Sequence, residues 1–425
     1  MKLLIKNGRV IDPSSHTDET LDILLDKKKI LDINQKINSK DAHIIDASNL
    51  VVAPGFIDMH THLREPGFED KETIKTGALA AAEGGFTTIA CMPNTSPVND
   101  TRGITEFIIS EAKKRAVVNV LPIAAITVGL KGENLTEMSD LVSAGAVAFS
   151  DDGEPVFNSL IMRRALEYSK LIDTVIIDHC EDKNLSARGV MHEGYYSYLY
   201  GVDGISDSSE EVIVARDIIL SAKADMGIHL AHISTKRSVD LIRTAKKNKL
   251  KITAEVTPHH LLLTDESLLN YDTNLKMSPP LRSKEDVRAL LAAVKDGTID
   301  IIATDHAPHT PDEKAVELDF APFGIIGLET AVSLLLDKLV HKNIISLERF
   351  VQMMSVRPAE IFGLANKGKI CAGADADLTI LNLKKEIIID TNTFKSKSRN
   401  CPFHGWKLKG KPVMTIVKGK IVSSG

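Results

Sequence analysis

Histidine and aspartate recur in this sequence at the points where apolar runs end. His60 and His62 form an HTH unit, Asp151 and Asp152 stand together in FSDDG, and His179 closes TVIIDH. His232 lies in HLAHIST and Asp305 in ATDHAPH. Imidazole nitrogen and carboxylate oxygen are ligands for divalent cations. Residues two apart in an extended segment project to the same side about 6 to 7 Å apart, so His60 and His62 can grip one ion between them. A single His-x-His is commonplace, but four histidines and one or two aspartates all falling at strand ends is not a chance arrangement. The cysteines Cys91, Cys180, Cys371 and Cys401 lie far apart with no CxxC pair, which argues against a disulfide framework and a thiolate site. Nitrogen and oxygen donors suit zinc, though manganese or cobalt would fit the same set. The ligands are too many for one tetrahedral ion with an open position. They suit two ions sharing a carboxylate, an arrangement that lets a bridging water attack a carbonyl near neutral pH. The chemistry expected is hydrolysis of an amide, or its reverse.

Such residues need a scaffold that ends many strands in one place. VVAPGFID, FTTIACM, NVLPIAAIT, AVAFS, TVIIDH, GIHLAHI, KITAEV and DIIATDH are each followed by an amphipathic helical pattern, giving eight strand-helix units. Apolar, β-branched strands covered by helices predict a parallel sheet buried on both faces, and eight repeats suit a closed (β/α)8 TIM-like barrel better than an open sheet. All the candidate ligands then point into its C-terminal mouth. The two chain ends read differently. LLIKNGRVID, TLDILLD, KKILDINQ and HIIDAS at the start, and ADLTILNL and VMTIVKGKIV near the end, predict one small β-sandwich built from both termini. The expected boundaries are residues 1–53 and 366–425 for that module and 54–365 for the catalytic barrel.

Composition limits the partners. Apolar residues at 43% and charged residues at 26% are ordinary for a soluble globular protein. With 52 Lys and Arg against 57 Asp and Glu, the net charge of −5 offers no footprint for nucleic acid or an anionic membrane. MKLLIKNGRVID lacks the long apolar stretch of a signal peptide, so a cytoplasmic location and a small-molecule substrate are expected.

Taken in order, GFIDMHTHLREPG, FSDDG, DHCED, HLAHIST and ATDHAPH resemble the cyclic amidohydrolases, and specifically dihydroorotases of the bacterial monofunctional type. The resemblance runs the whole chain, through GADADLTILNL and TIVKGKIV. It implies zinc-dependent, reversible cyclisation of N-carbamoyl-L-aspartate to L-dihydroorotate, the third step of pyrimidine synthesis. It further implies two Zn2+ per subunit, with His60, His62 and Asp305 on one, His179 and His232 on the other, and a bridging aspartate. Most relatives bridge with a carboxylated lysine, and strand four here ends AVAFSDDG without one. The residues alone do not separate Asp151 from Asp152; the resemblance favours Asp152 as the bridge and leaves Asp151 a structural role. Asp305 is also similar to the family's proton shuttle.

Specificity in this reading rests on Arg64, since a planar guanidinium binds carboxylate in bidentate fashion and hydantoins and dihydropyrimidines carry none. Asn94, His62, His309 and the backbone of Phe323 and Gly324 resemble the remaining substrate contacts. Ser278 stands where many relatives have asparagine. The segment HAPHTPDEKAVELDFAPFG after strand eight is long enough to be a functional loop or lid. His259 and His260 are expected to be core or supporting groups, His16, His43, His192, His341 and His404 surface residues, and Met353 and Met354 packing. Two other readings compete: an allantoinase or hydantoinase, disfavoured by LREPG and the missing lysine, and a non-catalytic scaffold for aspartate carbamoyltransferase, disfavoured because every ligand position is kept. A homodimer and association with aspartate carbamoyltransferase are further partner expectations.

Overall fold

Runs such as FTTIAC are apolar or β-branched throughout, and strands of that kind must be covered on both faces. In the computed structural model, which describes residues 2–268 and 270–424, eight of them lie parallel in chain order. They are β1 (Phe56–Thr61), β2 (Phe86–Cys91), β3 (Asn119–Ala124), β4 (Ala148–Phe149), β5 (Val175–Asp178), β6 (Ile228–Leu230), β7 (Ile252–Val256) and β8 (Ile301–Ile302). The sheet closes where Thr61 bridges His306, with the His62 N–H donating to His306 O at 2.8 Å. Successive residues face opposite ways. Ile123, Ala148, Ile177 and Ile301 join Met59 and Ala90 in one interior cluster, whereas their neighbours Ala124, Phe149, Ile176 and Ile302 belong to the outer cluster shared with the helices. Ile361 and Phe362 pack against the interior cluster.

The covering helices form for local reasons. Lys236–Lys247 buries Ser238, Val239, Ile242 and Ala245, a stripe on one face, and Thr235 caps it by accepting from the Ser238 N–H. Ile74–Glu83 and Lys284–Asp296 begin in capping boxes at Thr73 and Ser283. The helix after β8, Ala331–Leu335, continues through wider π turns over Leu336–Val340.

The terminal strands Lys2–Asp12, Thr17–Asp26, Lys29–Asn34, Ala42–Asp46 and Val51–Pro54 share one sheet with Leu378–Ile388, Lys407–Val417 and Lys420–Ser424. It is one continuous sheet that folds over on itself: Lys29, on its edge, bridges Asp375 just ahead of Leu378. Its enclosed face holds Ile5, Val10, Ile23, Ile30, Leu378, Ile380 and Ile416.

VVAPGFID, expected as one strand, is two. Val51–Pro54 pairs antiparallel with the segment from Leu378 to Leu381, and only from Phe56 does the chain enter the barrel. Gly55 is the break, and a Cβ there would overlap the Thr87 side chain. Hydrogen bonds gather around it: its N–H donates to Asp377 O at 2.9 Å, and its carbonyl accepts from Ser355 Oγ at 2.8 Å. Among the described residues no helix is long and apolar enough to cross a membrane.

Gly55→Ala is therefore expected to destabilise the protein by about 1–3 kcal/mol through overpacking, with Thr87→Ala recovering part of the loss in the double variant. Urea unfolding midpoints test this, and an unchanged midpoint for Gly55→Ala would contradict the steric reading.

Candidate metal centre

Strand ends deliver the polar residues to one place. His60 is the penultimate residue of β1 and His62 follows its end; His179 directly follows β5. Asp152, His232 and Asp305 lie just past β4, β6 and β8. The backbone is bent sharply to aim some of them. His232, Asp305 and Arg64 have φ of 29°, 45° and 63°. Such values cost a non-glycine residue roughly 1 kcal/mol or more and persist only where surroundings enforce them. Here the neighbours are tied down: the Ile233 N–H donates to Glu255 O at 2.9 Å, and the Thr304 N–H to Asp58 Oδ1 at 3.2 Å.

All the expected ligands converge. Asp152 Oδ1 lies 3.4 Å from His60 Nε2, from His179 Nδ1 and from His232 Nε2, and Asp152 Oδ2 lies 3.5 Å from His62 Nε2. Asp305 Oδ1 is 3.0 Å from His62 Nε2 and 3.5 Å from His60 Nε2. Three trios, His60 with His62 and Asp152, Asp152 with His179 and His232, and His60 with His232 and Asp305, each place their donor atoms within 4.8 Å of one another. Asp152 belongs to two of them. All of these residues are buried, and His60 Nε2 and Asp152 Oδ1 have no hydrogen-bond partner among the described residues. Buried polar atoms are normally paired, and this donor set with two orphaned atoms facing inward fits divalent cations. Burial works to raise the Asp152 carboxyl, but the charge of His60 and the close approach of the His179 and His232 imidazoles hold it well below the usual carboxylate range. Asp151 faces elsewhere. Its Oδ1 accepts from the Ile126 and Thr127 N–H groups at 2.7 and 3.0 Å, and Thr127 Oγ1 donates to Oδ2.

Some residues that build the centre escaped the sequence reading. Glu255 in β7 is buried and accepts from His60 Nδ1 at 2.6 Å, from His229 Nε2 at 3.1 Å and from the His232 N–H at 3.2 Å. One carboxylate thus orients a β1 imidazole so that Nε2 faces Asp152, while fixing the end of β6. Its signal was an acid inside the otherwise apolar KITAEV. Asp58, likewise inside a buried strand, accepts from the His60 and Thr304 N–H groups. Glu181 takes a hydrogen bond from His179 Nε2 at 3.0 Å.

Arg64, Asn94, Ser278, His309, Phe323 and Gly324 line the same cavity as Asp152 and Asp305, about 510 Å³ in volume. Burial pushes the Arg64 guanidinium down to about 10, so it stays charged at neutral pH; Nε donates to Pro308 O at 3.2 Å. Asn94 Oδ1 accepts from His62 Nδ1 at 3.0 Å. His309 Nε2 donates to Phe323 O at 2.8 Å, and burial, then the charge of Arg64, brings its imidazole down to about 3. A neutral ring results. A Cβ at Gly324 would stand 2.7 Å from Ala307 O and 2.8 Å from His309 Cδ2, so only glycine lets the loop lie this close. That loop is pinned rather than free: Lys314 Nζ donates to Thr273 O and Pro322 O at 3.0 and 2.7 Å, and Lys276 Nζ to Leu318 O at 2.6 Å.

One other residue differs from first expectation. His192 is half-buried instead of surface, because Arg282 Nη1 approaches its Nδ1 at 3.3 Å. Cys180 meets Asp178 and Asp217 in a buried trio, where the Arg216 guanidinium already supplies positive charge at 2.7 Å from Asp217 and 3.3 Å from Asp178. His259 and His260 are buried.

A family model described as Dihydro-orotase-like matches residues 49–238, and one described as Amidohydrolase family matches residues 339–423. The chain is 54% identical over 422 residues to a dihydroorotase of Pelotomaculum thermopropionicum, covering 99% of this chain and 98% of the relative. It is 50% identical over 424 residues to one of Syntrophus aciditrophicus, covering 99% of each. Among solved structures, an L-hydantoinase (dihydropyrimidinase) from Arthrobacter aurescens superimposes with a TM-score of 0.90 at 26% identity, covering 99% of this chain and 96% of the other. A dihydropyrimidinase from Brevibacillus agri does so with 0.87 at 25% identity, covering 100% and 95%.

If Glu255 orients His60 and His232, Glu255→Gln weakens divalent-metal affinity roughly 10- to 100-fold. Competition with a chromophoric chelator reads this directly, and wild-type affinity in the variant would show Glu255 to be a packing group.

Proposed function

This chain belongs to the dihydroorotase family of amidohydrolases, and from that we propose that it interconverts N-carbamoyl-L-aspartate and L-dihydroorotate in the cytoplasm, using two zinc ions at the barrel mouth. The observation that carries the reading is a half-buried guanidinium, Arg64, on the same cavity as the carboxylate and imidazole cluster. A cyclic amide bearing a carboxylate satisfies both halves of such a site. A hydantoin ring leaves the guanidinium unmatched.

In this reading His60, His62 and Asp305 hold one ion, His179 and His232 the other, and Asp152 is shared. The orphaned His60 Nε2 and Asp152 Oδ1 support it. When bound, the ions supply a water nucleophile of lowered pKa and draw charge from the amide carbonyl.

The protein's own groups do the rest. The Arg64 fork, its plane held by the bond to Pro308 O, receives the substrate carboxylate. Asn94, whose Oδ1 is engaged by His62, turns its Nδ2 to the same carboxylate. Asp305 takes the proton of the water as its oxygen attacks the ring amide carbon, then passes that proton to the ring nitrogen as the carbon–nitrogen bond breaks. Cyclisation runs the same transfers backwards. His309 and the backbone of Phe323 and Gly324 seat the ring, and Ser278 adds a hydroxyl donor where a longer carboxamide is usual.

Purified protein is expected to turn over L-dihydroorotate and not hydantoin, to lose activity on chelation, and to regain it as two Zn2+ per chain are restored. Turnover of hydantoin alone would overturn the substrate reading.

Arg64→Ala is expected to raise KM about 10- to 100-fold, the loss of roughly 1.5–3 kcal/mol of charged hydrogen bonding, with metal content unchanged. Asp305→Ala abolishes turnover. An unaltered KM in the arginine variant would refute the clamp.

A further inference from the structure

After the strand Leu378–Ile388 the chain leaves the terminal sheet, and residues 395–401, KSKSRNC, run between the loop that follows β1 and the loop that follows β8. Ser396 Oγ donates to Glu72 Oε2 at 2.5 Å, and Ser398 Oγ donates to Lys71 O at 2.8 Å. These bonds fasten the segment to the β1 loop, eight or so residues beyond Arg64. On the other side Glu329, at the far end of the β8 loop, accepts from the Lys395 and Ser396 N–H groups at 2.8 and 3.2 Å, and the part of the loop that lines the cavity is held by Asn400. Asn400 is buried, with an exposure of 3%. Its Oδ1 accepts from the His309 N–H at 3.2 Å, while Nδ2 donates to Ala307 O at 2.9 Å and to Gly324 O at 3.0 Å. Its carbonyl also accepts from the Ile326 N–H at 3.0 Å.

This geometry ties the outgoing limb of the β8 loop, at Ala307 and His309, to its returning limb, at Gly324 and Ile326. Both limbs face the cavity. Pro308, whose carbonyl holds Arg64, lies between two residues that Asn400 grips. The task calls for one acceptor and two donors in a plane on a short stem, which only the asparagine carboxamide provides. Aspartate would set an anion against two carbonyl oxygens, and alanine would leave buried backbone groups unpaired.

We propose that Asn400 is a positioning residue for substrate binding: by pinning both limbs of the β8 loop it sets the spacing of Arg64, His309 and Gly324 that receives the carboxylated ring. The proposal rests on the function proposed above. Asn400 works through the loop, its hydrogen bonds going to His309, Ala307, Gly324 and Ile326 and not to a candidate metal ligand, so it governs binding of the ring rather than the metal-assisted step.

The test compares Asn400→Ala and the isosteric Asn400→Asp with wild type as metal-loaded enzymes. KM for L-dihydroorotate rises roughly tenfold or more in both, the consequence of displacing groups that bind ground and transition state alike, while kcat stays within about threefold and metal content is unchanged. In the Arg64→Ala background, Asn400→Ala adds less than its full effect, because both act on one carboxylate contact. A KM within twofold of wild type in folded variants, or full additivity with Arg64→Ala, would overturn the proposal. Hydrogen exchange at the His309 and Ile326 amides keeps it testable without a folded variant: both amides are protected in wild type, and rapid exchange there overturns the bracing. Should wild type fail to process L-dihydroorotate, the functional reading falls, while the exchange data still decide whether Asn400 holds the loop.

Discussion

A carboxylate buried among imidazoles is costly to maintain, and much of this protein serves to make it tolerable. Asp152 brings its Oδ1 within 3.4 Å of nitrogens from three strand ends, away from water. An ion placed so deeply needs partners of opposite charge already in place, because no solvent reorganises to meet it. Four imidazoles from three strand ends supply those partners. Outside them, Glu255, Asp58, Asn94 and Glu181 each hold one of the imidazoles or its backbone, so the ring orientations are imposed before any ligand arrives.

The candidate ligands were legible because a parallel barrel has simple grammar. Buried strands read as unbroken apolar runs, and a polar residue at the end of such a run must face the mouth. That rule found His60, His62, His179, His232 and Asp305, and it narrowed the remaining choice to a neighbouring pair; their opposite hydrogen bonding, with Asp151 on the β3 loop and Asp152 in the cluster, separates them. The rule fails for polar residues inside strands. Glu255 and Asp58 look like faults in apolar segments until the imidazole each one supports is seen across the barrel. Gly55 was hidden for another reason: the boundary expected at 53/54 falls inside VVAPGFID, but that run is apolar throughout, and nothing in its periodicity marks the residue at which the strand breaks. Lys276, Lys314 and Asn400 were out of reach altogether, since their partners are backbone carbonyls and amides whose positions no side-chain pattern records.

The cavity therefore has two halves with different support. The half that gathers the candidate metal ligands stands on barrel strands, which are rigid. The half that faces Arg64 stands on loops, and stiffness there is borrowed from buried lysine ammonium groups and from a segment of the terminal module. An apolar cluster of Met191, Leu263, Leu318, Ile326, Cys401 and Phe403 welds the excursion after β5, the β8 loop and that segment into one mass. Barrel enzymes vary their chemistry through such loops, and here the varied part is fastened from outside the barrel.

The bond from Ser396 to Glu72 joins residues 324 positions apart. On the ribosome the barrel's first strands emerge long before the segment that braces their loops, and domains generally fold in the order they are made. A nearly finished chain can thus close its barrel and gather its imidazoles while the far wall of the cavity is still slack. The wall that faces Arg64 is therefore completed by residues made after every strand of the barrel, although it is the barrel that carries the imidazoles.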